Sequence, residues 1–133
     1  MVKGIGTDIL QIQRMREIMQ YSAASFVKKV YSRKEQEQAK LRSDLVVYYA
    51  TRFAGKEAVI KCFGDAASEV CLNEVEILNT KTGKPEVKLL GKTRELAQSV
   101  GIGTIQISLS YDGEYALAFA LASTDTGMQT NND

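Results

Sequence analysis

Apolar and polar positions along the chain follow two periods in turn, and the places where the period changes mark its elements. Residues 2–10 carry apolar Val2, Ile5, Ile9 and Leu10, interrupted by Gly4 and Gly6. This predicts a strand whose glycines admit the close approach of another backbone or a ligand. Residues 11–20 and 22–30 predict two short helices. Ser32-Arg33-Lys34-Glu35 matches a capping box, opening a polar helix over 33–42 that is expected on the outside. A start at Ser43 or Asp44 opens the longest helix, running to about Phe63, with Gly64 suited to end it. Residues 71–78 alternate as a strand, with Val75 and Ile77 set against Glu74 and Glu76. Residues 79–85 then read as a hairpin-type loop into a strand at 87–90. Residues 92–100 form a helix closed by Gly101, and strands at 104–111 and 114–122 flank the turn signal Asp112-Gly113. Helices early and antiparallel strands late predict an α+β fold, with helices packed on a mostly antiparallel sheet.

The length, 133 residues, suits one domain, expected over residues 1–122. The polar stretch 123–133 holds only Met128 as a large apolar residue and reads as a flexible tail. No long apolar leader and no membrane-spanning run are present in the sequence, so a cytoplasmic protein without a membrane partner is expected. Two cysteines cannot build a disulfide framework or a four-cysteine metal site, and the absence of histidine excludes Ser-His-Asp, Cys-His and His-zinc chemistry. Net charge is +1, which gives no sign of nucleic-acid binding, but its distribution is uneven. Residues 1–61 carry twelve Lys and Arg against six Asp and Glu, whereas residues 62–133 carry five against ten. That polarity fits a surface meeting an acidic partner or a phosphorylated ligand, and equally a dipolar surface without function.

At 100° per residue, Val46, Ala50, Phe53, Glu57 and Ile60 share one sector of the longest helix, with Lys61 at its margin. A carboxylate in the middle of an apolar face requires a partner or a proton. Lys61, four residues on, gives a structural ion pair as one reading, and a functional carboxylate is the other. Asp8 adds weight to the second reading, because it is a charge within an apolar strand opened by two glycines. Two enclosed acids without histidine suit a hard, oxygen-preferring cation, most plausibly Mg²⁺. Arg52, Lys56 and Arg42 lie on or near the same helix and are candidates for phosphate oxygens; taken singly, each also reads as a solvated charge. Together these residues suggest a site for a Mg²⁺-bound, polyphosphorylated small molecule.

At these residues the sequence resembles a known family. Gly4-Ile5-Gly6-Thr7-Asp8-Ile9 with Arg14, followed by Arg52-Phe53-Ala54-Gly55-Lys56-Glu57-Ala58-Val59-Ile60-Lys61, is similar to the holo-(acyl-carrier-protein) synthases, the small bacterial 4′-phosphopantetheinyl transferases. Gly64, Gly83-Lys84-Pro85, Ser108-Leu109-Ser110-Tyr111 and Tyr115-Ala116-Leu117-Ala118 extend the likeness in register to about residue 122. The resemblance implies transfer of the phosphopantetheine arm of coenzyme A to a serine of apo acyl carrier protein, releasing adenosine 3′,5′-bisphosphate, for fatty acid biosynthesis. It further implies that Asp8 and Glu57 hold Mg²⁺ with the coenzyme A diphosphate. Glu57, directly or through water, would accept the serine proton, and Lys61 would stabilise or protonate the departing bisphosphate. Arg52 would lie near the 3′-phosphate and Lys84-Pro85 beside the adenine, with Lys56, Gly64, Ser110 and Tyr111 also on the cofactor side. Arg14, with Arg16, would dock the acidic carrier protein, and the chain would assemble as a trimer with a site at each subunit boundary.

Two departures stand out. The family pattern has histidine, a holder of the nucleotide's phosphate, where this chain has Tyr111, and tyrosine cannot become cationic near neutral pH. The first helix places Gln20, Tyr21, Ser22 and Ser25 where arginines are common, which shifts docking toward Lys28 and Lys29. The alternative expectation is therefore a coenzyme A or carrier-protein binding module with weak or lost transfer. A structural protein with a buried Glu57–Lys61 pair is the third.

Overall fold

The computed structural model describes residues 1–125. Its elements are β1 (Val2–Gln11), α1 (Ile12–Val30), α2 (Arg33–Ala39), α3 (Leu45–Lys61), β2 (Val75–Asn79), β3 (Pro85–Leu89), α4 (Gly91–Ser99), β4 (Thr104–Tyr111) and β5 (Tyr115–Ser123). Two short 3-10 segments, Gly64–Glu69 and Leu72–Glu74, join α3 to β2. The strands form two antiparallel sheets, one in the order β1-β5-β4 and the other a β2-β3 hairpin. The α+β class expected from the sequence is the class observed.

Helix α3 is the axis of the molecule, and the sheet it lies on is paved with small residues. Gly4 and Gly6 of β1 face it, as do Ala116, Ala118, Ala120 and Ala122 of β5, all four at most 1% exposed. A Cβ on Gly6 would meet the Ala58 carbonyl of α3, and one on Gly4 the Cys62 carbonyl. Glycine is required at both places because the helix backbone rests directly on the strand. From α3 itself, Ala50, Ala54, Ala58 and Val59 are fully enclosed, and Ile77 of β2 reaches the space over Gly55.

The remaining elements form for local reasons. The two helices expected over 11–20 and 22–30 are joined into α1, which departs from helical geometry at Ser22, where φ is −148° and ψ 35°. Ser32 makes the expected capping box with Glu35, and Asp44 caps α3 through the Val47 N–H at 3.1 Å. Two expectations are corrected. Helix α2 does not lie wholly outside, because Glu35 is 0% exposed and Ala39 is buried. The strand expected over 71–78 begins only at Val75: Glu74 turns its carboxylate to the N–H groups of Lys92 and Thr93 and the Thr93 hydroxyl, capping α4, and this holds the preceding residues in a 3-10 turn. Most of the expected tail, residues 126–133, lies outside the described residues. Its first residues do not fray: Ser123 completes β5, the Thr124 N–H reaches the Met1 carbonyl at 2.9 Å, and Thr104 Oγ1 donates to the Asp125 carbonyl. Among the described residues, no helix is long and apolar enough to cross a membrane.

Candidate active site

Inward-facing positions of β1 step along α3 in the order Gly4, Gly6, Asp8, with the first two against Cys62 and Ala58. A strand advances about 6.6 Å in two residues and a helix about 6 Å in four, so the next strand position falls one further helical turn back. The side chain there is a carboxylate instead of a hydrogen, and it stands where Glu57 and Lys61 leave the helix. Lys61 Nζ donates to the Thr7 carbonyl at 2.7 Å and approaches Asp8 Oδ1 at 3.4 Å. The Asp8 side chain is 19% exposed and that of Lys61 55%. Glu57 is half-buried, and its carboxyl is pushed above its ordinary range by burial first and then by the charge of Asp8, with Lys61 opposing. Asp8 and Glu57, 49 positions apart in sequence, are thus electrostatically coupled. The expected Glu57–Lys61 pair is not what forms: Lys61 reaches across to β1.

Two acids served by one partly solvated ammonium form an electrostatically under-neutralised cluster. Its donors are hard oxygens, and among the described residues no group of three or more His, Cys, Asp or Glu side chains is arranged to hold a metal by itself. A site of this kind suits a cation that takes one or two protein carboxylates and completes its shell with water and phosphate, the habit of Mg²⁺. It suits zinc less well, because zinc sites are ordinarily built from three or four protein ligands rich in histidine or cysteine, and two carboxylates alone supply neither.

A second group of candidate residues lies on another side of α3. Arg52, 7% exposed, stacks over the Tyr48 ring with 4.3 Å from its guanidinium carbon to the centroid. Its Nη2 donates to Asn79 Oδ1 at 2.6 Å, and its enclosed Nε has no partner among the described residues. Burial lowers its pKa, and the nearby Arg42 adds to that. Asn79 ends β2 directly opposite Pro85, and the turn between them closes through the Thr80 N–H to the Lys84 carbonyl at 2.8 Å. Arg52 is thus tied to Asn79, the register partner of Pro85 and a residue that sequence reading did not single out. From Lys84 and Pro85 a groove of about 740 Å3 runs between β3, α4 and β4.

Lys56 is a correction. Expected at phosphate oxygens, it is 0% exposed and its three ammonium hydrogens are already engaged: with Glu35 Oε1 at 2.7 Å, the Leu72 carbonyl at 2.9 Å and the Val75 carbonyl. No hydrogen remains for a ligand. Glu35, its partner, was legible as a capping residue but not as a buried anion.

The other candidates are dispersed. Ser110 and Tyr111 end β4, with Ser110 opposite Leu117 and Tyr111 62% exposed opposite Ala116. Arg14 and Arg16 are exposed on the first turns of α1, whose Ile12 N–H is tied to the Glu114 carbonyl. These four residues gather at the end of the sheet where Asp8 lies. Gly64, with φ +58°, starts the 3-10 segment after α3 and borders a hollow of about 220 Å3 with Lys3 and Lys61.

Comparison with known proteins is consistent across sequence and structure. The sequence profile of the 4′-phosphopantetheinyl transferase superfamily matches residues 4–120. A holo-[acyl-carrier-protein] synthase of Hydrogenovibrio crunogenus is 36% identical over 125 residues, covering 93% of this chain and 98% of that protein. The crystal structure of the Neisseria meningitidis holo-[acyl-carrier-protein] synthase superposes with a TM-score of 0.84 at 28% identity, covering 92% of this chain and 99% of that one. A Bacillus anthracis holo-(acyl-carrier-protein) synthase in complex with coenzyme A gives a TM-score of 0.77 at 26% identity, covering 94% and 99%.

Proposed function

The chain belongs to the 4′-phosphopantetheinyl transferase superfamily, among its holo-[acyl-carrier-protein] synthases; from this we infer its reaction, and we propose that Asp8 and Glu57 form its metal-dependent centre. The enzyme transfers phosphopantetheine from coenzyme A to a serine hydroxyl of apo acyl carrier protein in fatty acid biosynthesis. The serine oxygen forms a bond to the β-phosphorus, the pyrophosphate bond breaks, and adenosine 3′,5′-bisphosphate leaves. The observation that supports the metal assignment is the placement of Asp8 and Glu57 about one ammonium: Lys61 Nζ lies 3.4 Å from Asp8 Oδ1, and the charge of Asp8 adds to burial in raising the Glu57 carboxyl.

When bound, Mg²⁺ would offset the charge that builds on the phosphate oxygens during displacement. Asp8 and Glu57 hold the charge that recruits it. Glu57, directly or through a water, takes the serine proton, and its raised pKa makes it a better base than an exposed carboxylate. Lys61, fixed at its tip by the Thr7 carbonyl, sits within reach of the leaving bisphosphate and neutralises or protonates it. Arg52, with an unused enclosed N–H, binds the 3′-phosphate, and Lys84-Pro85 flank the adenine at the mouth of the adjoining groove. Gly64, Ser110 and Tyr111 line the remaining path of the cofactor. Arg14 and Arg16, exposed at the Asp8 end, meet the acidic carrier protein.

The protein acts as a homotrimer. Supporting this, the outer face of the three-stranded sheet leaves Ile5, Ile9, Leu117 and Phe119 at 60%, 63%, 48% and 42% exposure, a contiguous apolar surface of the kind that marks an interface. Apo acyl carrier protein incubated with this chain, coenzyme A and Mg²⁺ gains the phosphopantetheine mass. Asp8→Ala and Glu57→Ala each abolish that gain while the assembly stays intact. Near-normal turnover in either variant removes that residue from the metal site.

A further inference from the structure

Two surfaces of α3 differ in kind. Toward the three-stranded sheet it meets Gly4, Gly6 and the four alanines of β5. A surface of glycine and alanine allows close approach but presents few ridges to interlock, so it defines separation better than rotation. On the other side Lys56 leaves the helix and grips three elements at once: Glu35 of α2, the Leu72 carbonyl of the second 3-10 segment and the Val75 carbonyl of β2. Glu35 is as fully held. Its Oε1 also accepts the Ser32 N–H at 2.8 Å, and its Oε2 accepts the Ile77 N–H at 2.8 Å. Both side chains are 0% exposed, and Glu76, 3% exposed, joins the cluster by accepting the Ser32 hydroxyl at 2.7 Å.

Burial by itself does not require charge here. Apolar residues of the same volume commonly serve as well as a buried ion pair, or better. What they lack is direction, and directed bonds from one ammonium to three fixed acceptors resist rotation of the helix that carries it. Glu57 is the next residue along that helix. A carboxylate on a helix stands about 6 Å from the axis, so a roll of about 10° moves it about 1 Å. Misplacement on the order of 1 Å at a reacting centre is enough for a loss of about a hundredfold.

We propose that the Lys56–Glu35 pair is a positioning device for the transfer reaction, fixing the roll of α3 and so aiming Glu57 at Asp8. The proposal rests on the reading of Asp8 and Glu57 as the metal-holding pair. Lys56 and Glu35 touch neither substrate nor metal in it; they act through Glu57.

The test uses full-length Lys56→Met and Glu35→Gln beside Asp8→Ala. Steady-state transfer, thermal melting and Mn²⁺ binding followed by electron paramagnetic resonance with coenzyme A present are measured on each. Lys56→Met lowers kcat about tenfold or more and weakens Mn²⁺ binding by a similar factor, while KM for the carrier protein stays within about twofold. Glu35→Gln, which keeps the shape of the side chain, shows the same split at smaller amplitude, at least about threefold, and decides the matter if Lys56→Met does not fold. A folded variant that melts lower yet keeps wild-type kcat and Mn²⁺ affinity overturns the proposal, because the pair then only holds the fold. Asp8→Ala separates the two levels: if it transfers normally, the metal reading itself falls, and if it is inactive while the pair variants are normal, only the positioning role falls.

Discussion

The contact of α3 with β1 can be tested at a single atom. In Gly6→Ala the new Cβ would meet the Ala58 carbonyl oxygen head-on and stand 2.9 Å from Lys61 Cβ, inside the 3.4 Å at which ordinary contact begins. The obstructing atoms belong to a helix backbone and to the first carbon of a side chain, neither of which can swing away. The helix must lift by roughly 1 Å, and overpacking of this kind destabilises by about 1–3 kcal/mol. With a backbone as the obstacle the upper end applies, which for a chain of this size is a fall of roughly 10 °C in melting temperature. Asp8 lies two residues along the same strand and Lys61 on the same helix, so transfer falls by about a hundredfold as well. Gly101→Ala is the control: φ there is +85°, and a new Cβ meets only the Lys3 side chain at 3.4 Å. Its backbone strain costs about 1 kcal/mol and leaves transfer unchanged. Both variants are melted at one protein concentration, since assembly couples to apparent stability. A Gly6→Ala protein that melts within about 2 °C of wild type and transfers at full rate refutes the packing argument.

The metal-free protein should show the pH signature of Glu57. Its carboxyl is raised by burial and by Asp8, so the folded state holds that proton more tightly than the unfolded chain, and the resulting stability is full at low pH and lost as pH rises through the carboxylate range. Glu57→Gln therefore flattens that decline, and parallel melting-versus-pH curves for the two proteins would contradict the shift. On the outer sheet face, Phe119→Lys places a charge in the exposed apolar patch and should reduce the assembly to smaller species by sedimentation, with loss of transfer. An unchanged mass in that variant argues that this face is not the interface.

What the sequence could reveal depended on whether the signal was local. Caps and turns are local: Ser32 with Glu35, Asp44 and Asp112-Gly113 all stand where their chemistry requires. Asp8 was legible because a charge following two glycines within an apolar strand is locally anomalous. The exposure of α3 was not. Its expected dry sector runs through Val46, Ala50, Phe53, Glu57 and Ile60; of these Ala50 is fully enclosed but the other four are half-buried, while Ala54, Gly55, Lys56 and Ala58 are buried. Hydrophobic periodicity weights large side chains, whereas this interface is made by small ones that let backbones touch. Glu35 was hidden for a related reason: a capping-box glutamate is ordinarily at the surface, and distant partners, the Lys56 ammonium and the Ile77 N–H 42 positions away, take it inside.

The division of the site follows from the same helix. Arg52 and Glu57 are five residues apart, so they leave α3 about 140° from one another. Arg52 is held toward β2 by Asn79, while Glu57 turns toward β1 and Asp8. A ligand as long as coenzyme A that touched both groups on one chain would have to wrap around a helix whose intervening faces are packed against the sheet and against α2. A nucleotide-binding half from one copy placed against a carboxylate half from another removes that obstacle, and the uncovered apolar sheet face lies next to the Asp8 end where such a neighbour would sit. On the proposed roles of these residues, a trimer would serve the catalytic geometry as well as cover apolar surface.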